Sequence, residues 1–221
     1  MPNRIHSSRP IRRKRVRRET YQATRKRETH ERILQSARSI ARREGLRAAS
    51  VPRVMTGAGL TVGGFYGHFQ SKTAMDVEII RSMLGSLPGR WLSGLEDSAG
   101  QEWVRRAIGR YLNKAHRDNP DGCAYPAVVS EIAAAPDDVR RAFAEALELR
   151  VRAFEAQVSP VAGGTARERA LATMALTIGG VLLARAVGRN PMSEEMLAAC
   201  KKWALPELDA ETAGAPPKAK R

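Results

Sequence analysis

Apolar residues at helical spacing are the feature that most constrains how this chain can fold. Over about residues 25–44 they fall at i, i+1, i+4, i+7 and i+8, which places them on one stripe of a helix. The members of this stripe are Ile33, Leu34, Ala37, Ile40 and Ala41. No segment shows the alternation of apolar and polar residues that is typical of a half-buried strand. We therefore expect an all-α protein.

Short, punctuated segments follow this first helix. Ser50 can cap a second helix, which we expect to stop at Gly59. Thr61 can cap a third, very short helix that runs through about Gly67. The buried anchors of that helix, four residues apart, are Phe65 and Phe69. Two short helices joined by a tight turn predict a helix-turn-helix, whose second helix can enter the DNA major groove.

The rest of the chain also has a helical pattern. Ser71 can cap a long helix that runs toward Pro88, and the last two helices are expected over about 166–187 and 193–205. The tail beyond residue 208 is rich in proline, alanine and lysine and is expected to be disordered.

Positive charge is concentrated at the N-terminus. The formal net charge is +15, and residues 1–28 carry eleven Lys and Arg against two Glu. This surplus favours a polyanionic partner, with nucleic acid first. Two prolines and few large apolar side chains predict that residues 1–24 form a disordered basic arm. A DNA-contacting arm that follows phosphates or the minor groove, a solubilising or cloning-related tail and an over-extended start all fit these residues.

Other classes of function find little support in the sequence. Two cysteines are too few for a disulfide scaffold, and four scattered histidines lack metal-ligand spacing, so we expect no metal and no cofactor. No Ser-His-Asp pattern or phosphate loop indicates an enzyme. The most apolar run, between Arg169 and Arg185, has 15 residues where a membrane span needs about 20. We expect a cytoplasmic protein with no membrane partner.

The segment from Ala58 to Lys72 closely resembles the DNA-binding signature of the tetracycline-repressor-like (TetR) family of transcriptional regulators. A glycine, a capping threonine, the pattern Tyr-x-His-Phe and a later lysine all occur in register. With the first helix and the Ser50 cap, the resemblance covers about residues 25–84.

The resemblance implies an N-terminal three-helix helix-turn-helix domain followed by a C-terminal helical domain that binds a ligand and dimerises. The regions we expect are a disordered basic arm (1–24), a helix-turn-helix DNA-binding domain (25–71), a helical regulatory and dimerisation domain (72–208) and a disordered tail (209–221).

The resemblance also implies which residues meet DNA. The expected DNA-contacting set comprises residues that face the bases or the backbone, the two helix caps and one nearby cation. Its members are Ser50, Arg53, Thr61, Val62, Gly63, Tyr66, Gly67, His68 and Lys72. For Arg53 a solvated surface charge fits equally well, and for Tyr66 and His68 the alternative is a structural pair. Gly63 and Gly64 each cost about 1 kcal/mol in a helix relative to alanine, so this helix is expected to be loose without DNA.

In the family the last two helices build a dimer interface, and an inducer cavity lies among the middle helices. Candidates for the interface, with an intrachain core as the alternative, are Met174, Ile178, Gly179, Gly180, Val181, Leu182, Met196, Leu197, Cys200 and Trp203. Candidate walls for an apolar or aromatic inducer, with ordinary core as the alternative, are Trp103, Tyr111, Tyr125, Phe143 and Phe154. Cys123, near a helix start, is a candidate redox sensor or a small buried hydrophobe.

We therefore expect a sequence-specific homodimeric regulator, acting as a repressor that a small molecule releases from a double-stranded operator. The alternative is a constitutive, weakly specific DNA-coating protein without an inducer, which would bind any duplex with similar affinity.

Overall fold

The structure is a computed structural model that describes residues 9–85, 92–119, 124–160 and 164–205, with side chains from residue 21 onward. Every regular element in these ranges is a helix, which confirms the all-α prediction. The α-helices are α1 (Arg9–Glu44), α2 (Val51–Gly57), α3 (Lys72–Leu84), α4 (Gly100–Tyr111), α5 (Lys114–Asp118), α6 (Tyr125–Ile132), α7 (Asp137–Glu155), α8 (Ala166–Val187) and α9 (Pro191–Ala204), and a 3₁₀ helix, Val62–Gly67, lies between α2 and α3.

The first apolar core holds the N-terminal elements together. Its fully buried members on α1, α2, the 3₁₀ helix and α3 include Ile33, Ala37, Val54, Met55, Phe65 and Ile79. The same core continues into α6 and α7 through Tyr125, Val128 and Val139. Apolar packing therefore crosses residue 71, where we expected a domain boundary, and joins the helix-turn-helix to the helices that follow.

A second apolar core lies among α4, α7, α8 and α9. Its fully or almost fully buried members include Ile108, Tyr111, Phe154 and Val181. Helix α8 is central, since it packs against α4, α5, α6, α7 and α9. Gly180 on α8 is needed here, because a Cβ would lie 2.7 Å from the Cys200 Sγ on α9.

Several helix ends follow the expected capping chemistry. The Ser71 hydroxyl accepts a hydrogen bond from the backbone N–H of Ala74 at 3.0 Å, which confirms this cap. Ser50 and Thr61 occupy N-cap positions with extended backbones, but neither side chain makes a cap hydrogen bond. Gly59, with φ +67°, provides the left-handed residue that ends the α2 segment.

Helix α1 begins at Arg9, so residues 9–24, which we expected to be part of a disordered arm over residues 1–24, are helical in the structure. Pro10 lies in the first turn, where its missing N–H breaks no helical hydrogen bond. The residues that follow contain no glycine and many strong helix formers, and the anchored part of α1 supplies the nucleus from which the helix extends. Residues 1–8 and the predicted tail, 209–221, lie outside the described part of the chain.

Helix α8 is long and apolar enough to cross a membrane when judged by length and composition alone. An 18-residue window within it has a mean hydropathy of 1.8. The uninterrupted run of 15 residues that we counted from the sequence therefore understated its apolar length. The core helix of a globular protein passes the same test, and α8 packs against five other helices of this chain.

Candidate DNA-binding surface

Two buried phenylalanines position the 3₁₀ helix. Phe65 is fully buried and Phe69 nearly so, and their rings stack with centroids 5.4 Å apart. The His30 ring of α1 stacks on Phe69 with a centroid distance of 4.6 Å. This anchoring exposes the opposite side of the 3₁₀ helix, where Tyr66 is 73% exposed and Val62 is 46% exposed.

Glycines leave the rest of this exposed side without side chains. A Cβ at Gly63 or Gly67 would have no neighbour within 4 Å, and neither residue has a positive φ. A Cβ at Gly64 would make only an ordinary contact, 3.6 Å from the Met55 Cε. Neither packing nor a left-handed turn therefore requires glycine at positions 63 and 67.

His68, which we expected at the DNA edge, is partly buried. Its Nδ1 is buried and has no hydrogen-bond partner in the described part of the chain, and its ring lies 6.0 Å from that of His30. Burial, with smaller effects from the nearby His30 and Lys26 charges, lowers the pKa of His68. The lowered pKa favours the neutral form of His68, whose ring lies at the junction between α1 and the 3₁₀ helix.

Lys72, expected to meet a phosphate, already has an anionic partner. Its Nζ lies 2.5 Å from the Asp76 carboxylate, one turn along α3. Burial raises the pKa of Asp76, and the hydrogen bond from Lys72 opposes this shift. The carboxylate is only 13% exposed, so Lys72 compensates a charge that the fold has removed from water.

The remaining expected DNA residues lie on the exposed side of the helix-turn-helix. Ser50 and Thr61 are exposed at the starts of α2 and the 3₁₀ helix. Arg53 is exposed too, and its guanidinium donates to both oxygens of Glu44 at 2.7 and 2.5 Å. These hydrogen bonds hold the pKa of Glu44 below its usual value. Arg53 therefore belongs to a surface ion pair.

Sequence reasoning missed that α1 borders this surface. A cleft beside the end of the 3₁₀ helix is lined by Tyr21, Gln22, Arg25, Lys26, Thr29, Gly67 and His68. His30 pairs with Glu78 of α3 at 2.7 Å, 48 residues away in the chain. No local pattern links α1 with these partners, because the contact exists only once three helices are packed.

The five candidate inducer-site aromatics fall into two separate groups. Trp103 and Phe154 meet edge to face at 4.9 Å within the second core. Tyr125 and Phe143 meet at 5.7 Å in the first core, and Tyr111 packs on His116 at 4.5 Å. The five aromatics are therefore divided between the two apolar cores.

A small, shallow cleft opens between the N-terminal part of α4, the residues after α7 and α9, and the start of α8. It is lined by Gln101, Val104, Gln157, Val158, Ser159, Arg169 and Leu205, so none of the five aromatics lines it. The candidate redox sensor, Cys123, lies outside the described residues. Cys200 is partly buried, and burial raises the pKa of its thiol.

The outer side of α8 and α9 exposes large apolar side chains. Trp203 is 71% exposed and Leu183 is 51% exposed, with Val187 and Met192 exposed beside them. Some candidates for the dimer interface instead lie in the core of the chain, namely Met174, Gly180, Val181 and Leu197. The half-buried candidates are Ile178, Gly179, Leu182, Met196 and Cys200, of which Ile178 and Cys200 pack against the core.

Comparison with known proteins gives a family match to the helix-turn-helix. Residues 33–79 match the family described as bacterial regulatory proteins, tetR family, a range that runs from the apolar stripe of α1 into α3. Among curated proteins nothing matches this chain.

Solved structures extend the likeness over most of the chain. A TetR-family transcriptional regulator from Agrobacterium tumefaciens aligns with a TM-score of 0.67 and 22% identity, over 82% of this chain and 98% of that one. A TetR-family regulator from Cytophaga hutchinsonii aligns with a TM-score of 0.68 and 18% identity, over 88% and 98%. The reduced form of NemR from E. coli aligns with a TM-score of 0.65 and 19% identity, over 79% and 96%.

These structures share the fold of this chain, helix-turn-helix and C-terminal helices alike, while the family match falls on the residues that build the exposed 3₁₀ surface. Over residues 33–79, its helix-turn-helix region, the chain is therefore similar to the tetR family of bacterial regulatory proteins, and over most of its length it shares the fold of solved regulators of that family.

Proposed function

We propose that this protein is a homodimeric repressor that binds a double-stranded DNA operator through its 3₁₀ helix and is released by a small-molecule ligand. The observation that carries the proposal is the exposed side of the 3₁₀ helix, where Gly63 and Gly67 are bare although the fold does not require it. A surface without side chains lets the backbone approach a partner closely, and a DNA groove is such a partner.

The individual side chains then take different roles. Val62 is placed to contact a thymine methyl, and Thr61 and Ser50 offer hydroxyls to phosphates or base edges. The exposed Tyr66 hydroxyl reaches a phosphate. The partly buried His68 packs at the 3₁₀ helix. Lys72 and Arg53 contact phosphates while each remains paired with its carboxylate, Asp76 and Glu44 respectively. Few groups read bases directly, so DNA shape carries much of the specificity.

Dimerisation through α8 and α9 supports binding to a two-fold symmetric operator. We define the α8–α9 face as Leu183 and Val187 of α8 with Met192 and Trp203 of α9, all exposed in the single chain. At three- and four-residue spacing with Leu183, α8 also presents small residues that are exposed or half-buried, namely Ala172, Ala175, Gly179 and Ala186. An apolar face of this kind is buried when a second copy packs against it, and two copies contact half-sites about one DNA turn apart or a multiple of it.

Control by a ligand is supported by polar contacts that tie the helix-turn-helix to α6 and α7. The Glu131 carboxylate of α6 accepts a hydrogen bond from the Arg47 backbone N–H, at 2.6 Å, in the loop between α1 and α2. Gly45 leaves room for this carboxylate, since a Cβ there would lie 2.0 Å from the Glu131 Oε1. A ligand that shifts α6 thus moves the loop before α2.

A second contact ties the end of α3 to α7. The buried Arg150 guanidinium donates to the Leu84 carbonyl in the last turn of α3 and stacks over the Tyr125 ring of α6 at 5.0 Å. This charged group of α7 therefore contacts two other helices, α3 and α6. Displacement of α7 changes the orientation of α3 and with it the spacing of the two recognition elements in the dimer.

The test is selection of bound DNA from a random duplex library by the purified full chain. We expect one enriched motif with two symmetric half-sites. Small molecules are then screened for those that release the protein from that duplex. Enrichment of a motif without any releasing ligand would contradict induction, and equal affinity for all duplexes would favour the weakly specific DNA-coating function instead.

A further inference from the structure

The N-terminal part of α1 forms an extension beyond the helix-turn-helix core, which we define as residues 9–24. Further along, α1 crosses the 3₁₀ helix, where His30 stacks on Phe69. Just before this crossing, Arg25 and Lys26 share a cleft with Gly67 at the end of the 3₁₀ helix. The extension therefore leaves the domain beside the proposed DNA surface.

The charge pattern of the extension opposes its own helix. Residues 9–24 contain seven Lys and Arg and only one acid, Glu19. Basic residues lie three or four apart, as Arg9 with Arg12 and Arg13 with Arg17 do, and like charges at this spacing destabilise a helix. The first turn of α1 contains no acidic residue, although the helix dipole favours negative charge there. A polyanion alongside the extension would remove both penalties.

We propose that this extension is a second DNA-contacting surface, which lies along the phosphate backbone flanking the operator half-site. The proposal rests on the proposed function, because the 3₁₀ helix positions the duplex. From Tyr21 to Arg9 the helix rises about 18 Å, which corresponds to about five base pairs beyond the recognition element. It adds affinity without sequence reading, since phosphates carry no base information.

The helical state decides between the ways in which a basic arm can bind. An α-helix with its side chains is about 10–12 Å across, whereas the minor groove of B-DNA is about 6 Å wide. The extension is therefore too wide to follow the minor groove as an extended arm would. It contacts phosphates from outside the groove.

The experiment compares the full chain with the triple variant Arg12→Ala, Arg13→Ala, Arg17→Ala, since alanine preserves the helix. A matched control removes three exposed arginines of α4 and α7 by Arg105→Ala, Arg140→Ala, Arg141→Ala. The probe is the duplex selected by the full chain, used either trimmed to its half-sites or extended by about eight base pairs on each side. Affinity is measured by fluorescence anisotropy over a salt series.

On the extended duplex we expect the triple variant to bind at least tenfold more weakly than the full chain at low salt. The slope of log K against log salt should fall by about 2.7 for each subunit, or about 0.9 per lost phosphate contact. On the trimmed duplex the triple variant and the full chain should bind alike. The control variant should match the full chain on both duplexes.

If the triple variant keeps the salt slope of the full chain on the extended duplex, the proposal is overturned. It is also overturned if the triple variant loses as much affinity on the trimmed duplex, because the contact would then lie inside the half-site. A variant that loses affinity for phosphatidylserine vesicles but not for flanking DNA would assign the extension to lipid and also overturn it. If the full chain selects no duplex at all, the proposed function itself fails, a result distinct from these.

Discussion

The exposed side of the 3₁₀ helix and the α8–α9 face are both open to solvent, but they carry opposite kinds of residue. The first includes Gly63 and Gly67, where an added Cβ would meet nothing within 4 Å, and the second has Leu183 and Trp203. Glycines permit close approach of a partner and bury little apolar area. Large apolar side chains stabilise an interface only when another apolar surface removes them from water.

This difference indicates two different partners. DNA is charged and hydrated, so it binds well to a surface that its groove can approach closely and that is flanked by hydroxyls and cations able to contact phosphates. A second copy of the chain gains from apolar residues that are repeated by symmetry on both sides of the interface. If this is correct, a substitution on the 3₁₀ helix should change DNA binding without changing dimerisation, whereas a substitution on the α8–α9 face should change dimerisation first. The following substitutions test this expectation.

The largest effect is expected from Leu183→Glu, which places two charges in the dimer interface. We expect a monomeric protein whose operator affinity is lower by roughly 100-fold or more, because a buried, unpaired carboxylate costs several kcal/mol and half of the DNA contacts are lost. Light scattering reports the mass, and anisotropy reports the affinity. Leu149→Glu, at an exposed leucine of α7 outside the face, is the control. A dimeric Leu183→Glu protein would reject this interface.

A smaller loss is expected from Tyr66→Phe on the opposite surface. Removing one hydroxyl that meets a phosphate costs about 1.5–3 kcal/mol, so operator affinity should fall by roughly one to two decades. The dimer mass and the melting temperature should stay as in the original protein, since Tyr66 is exposed and phenylalanine keeps its ring contact with Phe65. Unchanged affinity would show that Tyr66 does not contact DNA.

Lys72→Ala is expected to affect stability as well as binding, because it leaves Asp76 without its cation. The free energy of unfolding should fall by about 1–2 kcal/mol, less than for a fully buried pair because Lys72 is partly exposed. Chemical denaturation measures this change. A stability equal to that of the original protein at pH 7.5 would show that the pair is only a surface contact.

The effect of Lys72→Ala on the free energy of unfolding should depend on pH in a definite direction. Burial raises the folded-state pKa of Asp76, so this group lowers stability as pH rises through its unfolded and then its folded pKa. The loss caused by Lys72→Ala should therefore shrink as pH falls toward the folded pKa. Asp76→Asn is the matched variant: it should keep the fold, free Lys72 for a phosphate and strengthen DNA binding.

The smallest effect is expected from Gly67→Ala, which adds a methyl group to the bare surface. Alanine stabilises a helix relative to glycine by up to about 1 kcal/mol, so thermal stability should rise slightly while operator affinity falls roughly fivefold. Gly64→Ala is the control, because its methyl group would rest 3.6 Å from the Met55 Cε inside the protein. Equal operator affinities for the two variants would mean that the absence of a side chain at Gly67 is not needed for DNA binding.

Local patterns were sufficient for the helix-turn-helix. The stripe from Ile33 to Ala41, the Ser71 cap and the pair Phe65 and Phe69 each involve only a few neighbouring residues. Helical periodicity and capping depend on neighbours three or four residues away, so they can be read without the tertiary fold. The same patterns predicted α8 at the bounds that the structure has, Ala166–Val187.

The assignment of charged side chains to partners needed the tertiary structure. The pairs His30 with Glu78 and Arg47 with Glu131 join residues 48 and 84 positions apart, and no periodicity links them. Tertiary packing also decided which side of α8 is buried, because α8 is apolar nearly all round, so that Met174 and Val181 face the core while Leu183 faces outward. Local sequence thus determined the helices and their ends, since those depend on neighbouring residues. Only packing decided which charges are paired and which apolar residues remain exposed, since those depend on residues far apart in the chain.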